Sequence, residues 1–267
     1  MTDKAHLPAL FVGHGAPTMA LENDRYTRAL HDFGKRHAPQ AIAVVSAHWE
    51  EEAPVRVTAT AKPELVYDFY GFPQEMYELE YPAAGHPELA GRIVKALDRA
   101  GIPAVKDATR GLDHGCWVPL LHMYPGADVP VLQISLPEPR GPDELLKIGK
   151  ALEPLRADGV LLVGSGNVVH NLRLALAQGF RPKDAPADPW ATQFDSWFRE
   201  RLEKMDAQGL TKWASAPGGR LAVPTTEHYD PSIVTMGAAA QGERVEHIFE
   251  GIYHGNVSMR CFAVGSP

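Results

Sequence analysis

The feature that most constrains this chain is a pair of apolar runs that each end in a histidine. Leu10-Phe11-Val12-Gly13-His14-Gly15-Ala16-Pro17 is apolar up to a histidine held between two glycines. Residues 41–48, AIAVVSAH, repeat the pattern and run on into Trp49-Glu50. A strand that is apolar on both faces belongs in a sheet covered on both sides, the usual setting of parallel strands. A run that breaks into glycine at its end presents the next side chain at the rim of that sheet. Residues 159–163 form a third such run, leading into Gly164-Ser165-Gly166-Asn167 and then Val168-Val169-His170-Asn171.

Between these runs the pattern changes period. Strands are expected over 7–12, 41–47, 54–60, 102–107, 129–136 and 159–163, and helices over 23–37, 86–99, 118–123, 142–156 and 190–208. Pro39, Gly101 and Pro125 act as stops, and Pro142 suits a first helical turn. Asp230 is expected to cap a helix over 231–240, with Pro231 at its first position. Residues 246–264 read as strand pairs with a turn at Gly255-Asn256. Residues 111–115, GLDHG, read as a turn holding His114. Residues 62–84, KPELVYDFYGFPQEMYELEYPAA, have no clean period and are too aromatic for a disordered linker, so an ordered excursion over the core is expected. Alternation without repeats predicts one α/β domain over residues 1–267, a mostly parallel or mixed central sheet flanked by helices.

Composition narrows the function. With 26 basic and 33 acidic residues the net charge is −7, and no basic run stands out, which argues against nucleic acid and anionic membranes. No apolar run approaches the roughly 18 residues of a membrane span. The first residues, MTDKAHLPAL, lack the pattern of a signal peptide, so a cytoplasmic protein is expected, as a monomer or small homo-oligomer. The two cysteines, Cys116 and Cys261, form no CxxC pair, which excludes a thiolate zinc knuckle.

His14, His48, His114, His170 and His228 share one setting, the end of a strand or a Gly/Ser-rich turn after one. Ligands of open α/β sheets bind beyond the carboxyl ends of the strands, so these histidines can converge there from distant segments. Imidazole is the commonest metal ligand, and a His/carboxylate set with open positions suits non-haem iron or catalytic zinc. His6, His31, His37, His86, His122 and His247 read as ordinary surface or helix residues. Glu227 and Asp113 each precede one of the five, as outer support or as alternative ligands. Neighbours on an extended segment point opposite ways, so either Glu227 or His228 faces the site. Ser165 with His170 is a weak hydrolase pair, because Gly164-Ser165-Gly166 is not a full GxSxG.

Taken together, LFVGHGAP, VVSAHWE, YDFYGFP, GLDHGCWVPLLHMYP, GSGNVVHNL and TTEHYDPS resemble the class III extradiol ring-cleavage dioxygenases of the LigB superfamily, in its DOPA 4,5-dioxygenase-like branch. The six segments run in the family's order from residue 10 almost to the end of the chain. The resemblance implies one mononuclear divalent metal at the rim, held by His14, His48 and His228. Other branches use a glutamate third ligand, which leaves Glu227 open. It implies His170 as acid/base and His114 as a contact to dioxygen or substrate. Fe(II) would serve ring opening of a small catechol, DOPA-like, with O2 to a muconic semialdehyde, and Zn(II) is possible in the protein as isolated. Tyr67 and Tyr70 in the aromatic stretch, with Tyr229 beside His228, are the candidate substrate contacts. Ala16 stands where this branch has serine, a departure that bears on substrate. A zinc-dependent hydrolase and a non-catalytic, Memo-like binding protein on the same fold are the alternatives.

Overall fold

The computed structural model describes residues 6–265. Its strands are β1 (Ala9–Gly13), β2 (Ala41–Glu52), β3 (Val55–Thr58), β4 (Ala104–Asp107), β5 (Val131–Glu138), β6 (Val160–Gly166), β7 (Arg244–Phe249), β8 (Ile252–Tyr253), β9 (Val257–Ser258) and β10 (Cys261–Gly265). Among the described residues, eight of these form one sheet in the order β4-β3-β5-β2-β6-β1-β10-β7, and β8 and β9 form a separate hairpin. The central four, β5, β2, β6 and β1, are parallel, so their carboxyl ends share one rim. β10 runs antiparallel to β1 and to β7, and β3 runs antiparallel to β5, which makes the sheet mixed. This is the α/β class expected.

The helices are α1 (Arg25–Arg36), α2 (Pro87–Arg99), α3 (His114–Met123), α4 (Pro142–Leu152), α5 (Leu172–Ala177), α6 (Pro189–Glu203), α7 (Ala207–Leu210), α8 (Gly219–Ala222) and α9 (Asp230–Gly237). They cover both faces because the strands are apolar on both. Ala9 and Phe11 of β1, with Ala41, Ala43 and Val45 of β2, pack beneath α2, α4, α6 and α9. Leu10, Val12, Ile42 and Val44 pack on the other face beneath α1, α3 and the aromatic excursion. This is the two-residue alternation of a strand buried on both sides. Each large apolar side chain so buried contributes about 1.5–3 kcal/mol.

Several boundaries differ from the sequence reading. The helix expected from 118 begins at His114, because the Asp113 side chain accepts from the Cys116 N–H and caps it. The helix expected over 142–156 leaves the α form after Leu152, where Pro154 follows, and continues as a 3₁₀ turn to Asp158. The long helix expected to 208 breaks after Glu203. Met205 takes a left-handed φ of 52°, and Asp206 caps the short α7 through the Gly209 N–H at 2.7 Å. Asp230 does not cap α9; it is the first helical residue, and its carboxylate pairs with Arg140 at 2.6 Å. Among the described residues no helix is long and apolar enough to cross a membrane.

α1 enters through a capping box in which Asp24 and Thr27 satisfy each other's N–H groups. Asp24 also accepts from Tyr253 at 2.9 Å and pairs with Lys183 at 2.5 Å, joining α1 to the β8–β9 hairpin and the loop before α6. Burial works to raise the Asp24 carboxyl, but the donors Lys183, Thr27 and Tyr253 outweigh it and hold the pKa at about 2, against an ordinary 3.8. A folded pKa below the unfolded one stabilises the fold above pH 3.8, and that contribution is lost as pH falls toward 2. Asp24→Asn keeps the capping oxygen that accepts from Thr27 but loses the charge and the second oxygen that accepts from Tyr253 and Lys183. Thermal melts of the variant and wild type should therefore differ at neutral pH and converge between pH 4 and pH 2. An equal gap at every pH would contradict the pairing.

Candidate metal centre

The parallel rim delivers two of the five histidines directly. β1 runs out at Gly13 and His14 follows, with its N–H bound to the Gly166 carbonyl at the end of β6. His48 lies within β2, not past its end. Pairing with β5 jumps from Val45–Ile134 to Glu50–Leu136, so the stretch between bulges out of the ladder, a device common beside active sites. His114 opens α3, His170 follows β6 and bridges to Val257, and His228 sits in the turn before α9 with no strand leading to it.

The five rings converge. The His14 ring centroid lies 4.9 Å from that of His48, 5.4 Å from His114 and 5.2 Å from His228. His48 lies 4.0 Å from His114, and His170 stacks on His228 at 3.7 Å. Ring nitrogens of His14, His48 and His114 lie within 4.8 Å of one another, as do the donor atoms of His170, Glu227 and His228.

Hydrogen-bond partners determine which ring nitrogen carries the proton. Pro119 sits inside α3 and has no N–H to give the Gly115 carbonyl one turn back. The Ser165 hydroxyl donates to that carbonyl instead, at 2.5 Å. Having spent its hydrogen, Ser165 can only accept from His14 Nδ1, 2.9 Å away, so His14 is protonated at Nδ1 and bare at Nε2. His228 Nδ1 faces the Glu227 carboxylate at 3.0 Å, and His114 Nδ1 faces Asp68 at 2.9 Å. His48 Nδ1 lies 3.5 Å from the other Asp68 oxygen. His14 thus turns a bare Nε2 toward His48 Nε2, 3.1 Å away. With the His48 proton on Nδ1, beside Asp68, both Nε2 lone pairs would be free to share a cation. Nitrogens bonded at about 2.0–2.1 Å to one ion sit about 3.0–3.4 Å apart, so this pair fits one divalent metal.

Electrostatics agree. Burial, and then the neighbouring imidazoles, push His14, His170 and His228 well below the ordinary histidine value, and burial followed by His114 lowers His48. All four are neutral at physiological pH, the form that binds a metal or accepts a proton.

Other expected residues fall elsewhere. Asp113 is fully buried and already accepts from Ser46, Gln133, Arg110 and the Cys116 N–H, so it caps α3 and has no oxygen free for a metal. Tyr229 is not a substrate contact. Its ring is buried among Phe194, Phe198 and Trp213, and its hydroxyl donates to the Leu210 carbonyl. Tyr70 is 90% exposed, and Tyr67 donates its hydroxyl to the Leu79 carbonyl while packing on Trp117. Ser165 serves His14, not His170, which removes the hydrolase pair. Asp68, Ser46 and Gln133 were not anticipated. Gln133 was visible as the one side-chain amide in the otherwise mostly apolar run VLQISL; its Nε2 donates to the Asp113 carboxylate at 2.7 Å and its Oε1 accepts from the Asp113 N–H at 2.8 Å.

Residues 4–261 match the family model described as the catalytic LigB subunit of aromatic ring-opening dioxygenase. The chain belongs to the LigB family. A 4,5-DOPA dioxygenase extradiol from Escherichia coli K12 is 40% identical over 264 residues, covering 97% of this chain and 95% of that protein. One from Beta vulgaris is 39% identical, covering 89% of each. A crystal structure of an uncharacterised Escherichia coli K12 protein superposes with a TM-score of 0.81 at 37% identity, over 97% of this chain and all of that one. At the level of this family the chain is a metal-dependent ring-opening oxidoreductase with an aromatic substrate and O2.

α3 can approach the rim this closely because residue 115 is glycine. A Cβ there would lie 2.6 Å from Ser46 Oγ, 3.0 Å from His48 Cδ2 and 3.2 Å from His14 Nδ1. Gly115→Ala should cost about 1–3 kcal/mol of stability by overpacking and weaken Zn(II) binding measured by chelator competition. Unchanged stability and affinity would show that the approach is looser than described.

Proposed function

We propose that this chain is an extradiol dioxygenase that opens a catechol, DOPA-like in shape, to a muconic semialdehyde. His14, His48 and His228 hold one divalent ion, Fe(II) in the active form. The observation that carries the reading is the approach of His14 Nε2 and His48 Nε2 to 3.1 Å, with Ser165 behind Nδ1 of the first and Asp68 behind Nδ1 of the second. His228 has the same backing from Glu227, which makes Glu227 the outer partner and His228 the ligand. Fe(II) with three protein ligands supplies open positions for a catecholate and dioxygen and passes charge between them, whereas zinc has no redox chemistry.

The protein's own groups handle protons. Among the described residues nothing hydrogen-bonds the ring nitrogens of His170, and the ring is neutral and stacked beside His228. It is placed to take the second hydroxyl proton of a catechol and return it later. The His114 ring lies 4.0 Å from that of His48, with Nδ1 tied to Asp68 and Nε2 left for oxygen or substrate.

Anaerobic loading with Fe(II), followed by catechol and air, should give a yellow semialdehyde absorbing in the visible. A verified Fe(II) form that yields no product across a catechol panel contradicts the proposal. Hydrolysis by the zinc form without oxygen would point to the hydrolase instead. His170→Ala should lower kcat roughly 10²–10⁴-fold with metal content unchanged, checked by metal analysis beside the rate.

A further inference from the structure

Residues 62–84 place one carboxylate behind two of the histidines. Asp68 Oδ1 accepts from the His114 backbone N–H at 3.0 Å and from His114 Nδ1 at 2.9 Å, while Oδ2 faces His48 Nδ1 at 3.5 Å. The segment is fastened to the chain leading into His114. Val66 N–H donates to the Leu112 carbonyl at 2.7 Å, and Leu112 N–H donates to the Glu64 carbonyl at 2.8 Å. On either side of Asp68, Tyr67 and Phe69 pack on Trp117, and Phe69 meets the His114 ring edge-on. The excursion is therefore a rigid mount for this carboxylate.

We propose that Asp68 is a positioning residue that holds both His48 and His114 in the Nδ1–H form, one oxygen to each, so that one carboxylate sets the metal-facing lone pair of His48 and the oxygen-facing lone pair of His114. The part concerning metal rests on His48 being a ligand, as proposed above. Carboxylates behind ligating histidines fix the tautomer and raise ligand basicity. Here one carboxylate serves a ligand and a flanking histidine 4.0 Å from it.

Asp68→Asn separates this role from simple packing. The amide oxygen can still serve the two N–H groups of His114, but the amide nitrogen then faces His48 Nδ1 and can only donate. His48 must accept there and carry its proton on Nε2, which removes the lone pair from the metal. Long-range nitrogen–proton correlation spectra of the metal-free wild type should show Nδ1–H at both His48 and His114, and in the variant His48 should switch to Nε2–H. Zn(II) affinity, read by competition with a chromophoric chelator, should fall roughly 10–100-fold. Wild-type His48 found as Nε2–H, or a variant with unchanged tautomer and affinity, overturns the proposal. The wild-type spectrum decides the tautomer even if the variant folds poorly. If His48→Ala binds Zn(II) like wild type, the ligand assignment falls, while the tautomer spectra still support or overturn the role of Asp68.

Discussion

Five imidazoles crowd one end of the sheet, and charge on neighbouring rings there is costly. Two unit charges 4 Å apart cost about 4 kcal/mol at the effective dielectric of a protein, and His48 and His114 are that close. Burial and mutual repulsion keep four of the rings neutral. Neutral rings still have to be told which nitrogen carries the hydrogen. Each of four Nδ1 atoms faces an oxygen that can accept, from Ser165, Asp68 (twice) and Glu227. The Ser165 link depends on Pro119, whose missing N–H leaves a carbonyl for the serine to bind. A helix defect thus orients a histidine 105 residues away in sequence, His14 against Pro119.

The fold supplies the convergence. Parallel β1, β2 and β6 end together, and the glycines at that rim let other backbone close in. A Cβ on Gly166 would lie 2.1 Å from the His228 carbonyl oxygen, so the His228 turn packs directly onto the end of β6. With Gly115 this sandwiches the rings between α3 and the turn before α9 from either side of the rim. The Arg140–Asp230 pair holds the start of α9 from beneath.

Much of this was legible in the chain, for identifiable reasons. An apolar run that stops at Gly13-His14 carries its own strand, rim and side chain, and the run into Gly164–Gly166 and His170 does the same. The mixed sheet and the two covered faces followed from runs apolar on both sides. His48 looked like a strand end but lies on a bulge, because a lapse in pairing with β5 leaves no mark in β2 alone. His114 looked like a turn residue because the Asp113 cap depends on Ser46 and Gln133, which come from other strands. Asp68 gave no signal at all. It lies in a segment without period, where Tyr, Phe and Pro read as packing, and its role exists only once the segment is laid against α3. Tyr229 reads as a substrate contact from its place beside His228, but its ring turns into the core beneath α6.

The central claim is that three particular imidazoles hold one ion while two others stand beside it. Metal content after equilibrium dialysis, in wild type and in the five single histidine-to-alanine variants, tests it most directly. One divalent ion per chain is expected in wild type, His114→Ala and His170→Ala, and none in His14→Ala, His48→Ala and His228→Ala. Retention of the ion in His228→Ala together with its loss in His114→Ala would contradict it, and would move the metal to the His14, His48 and His114 side of the cluster.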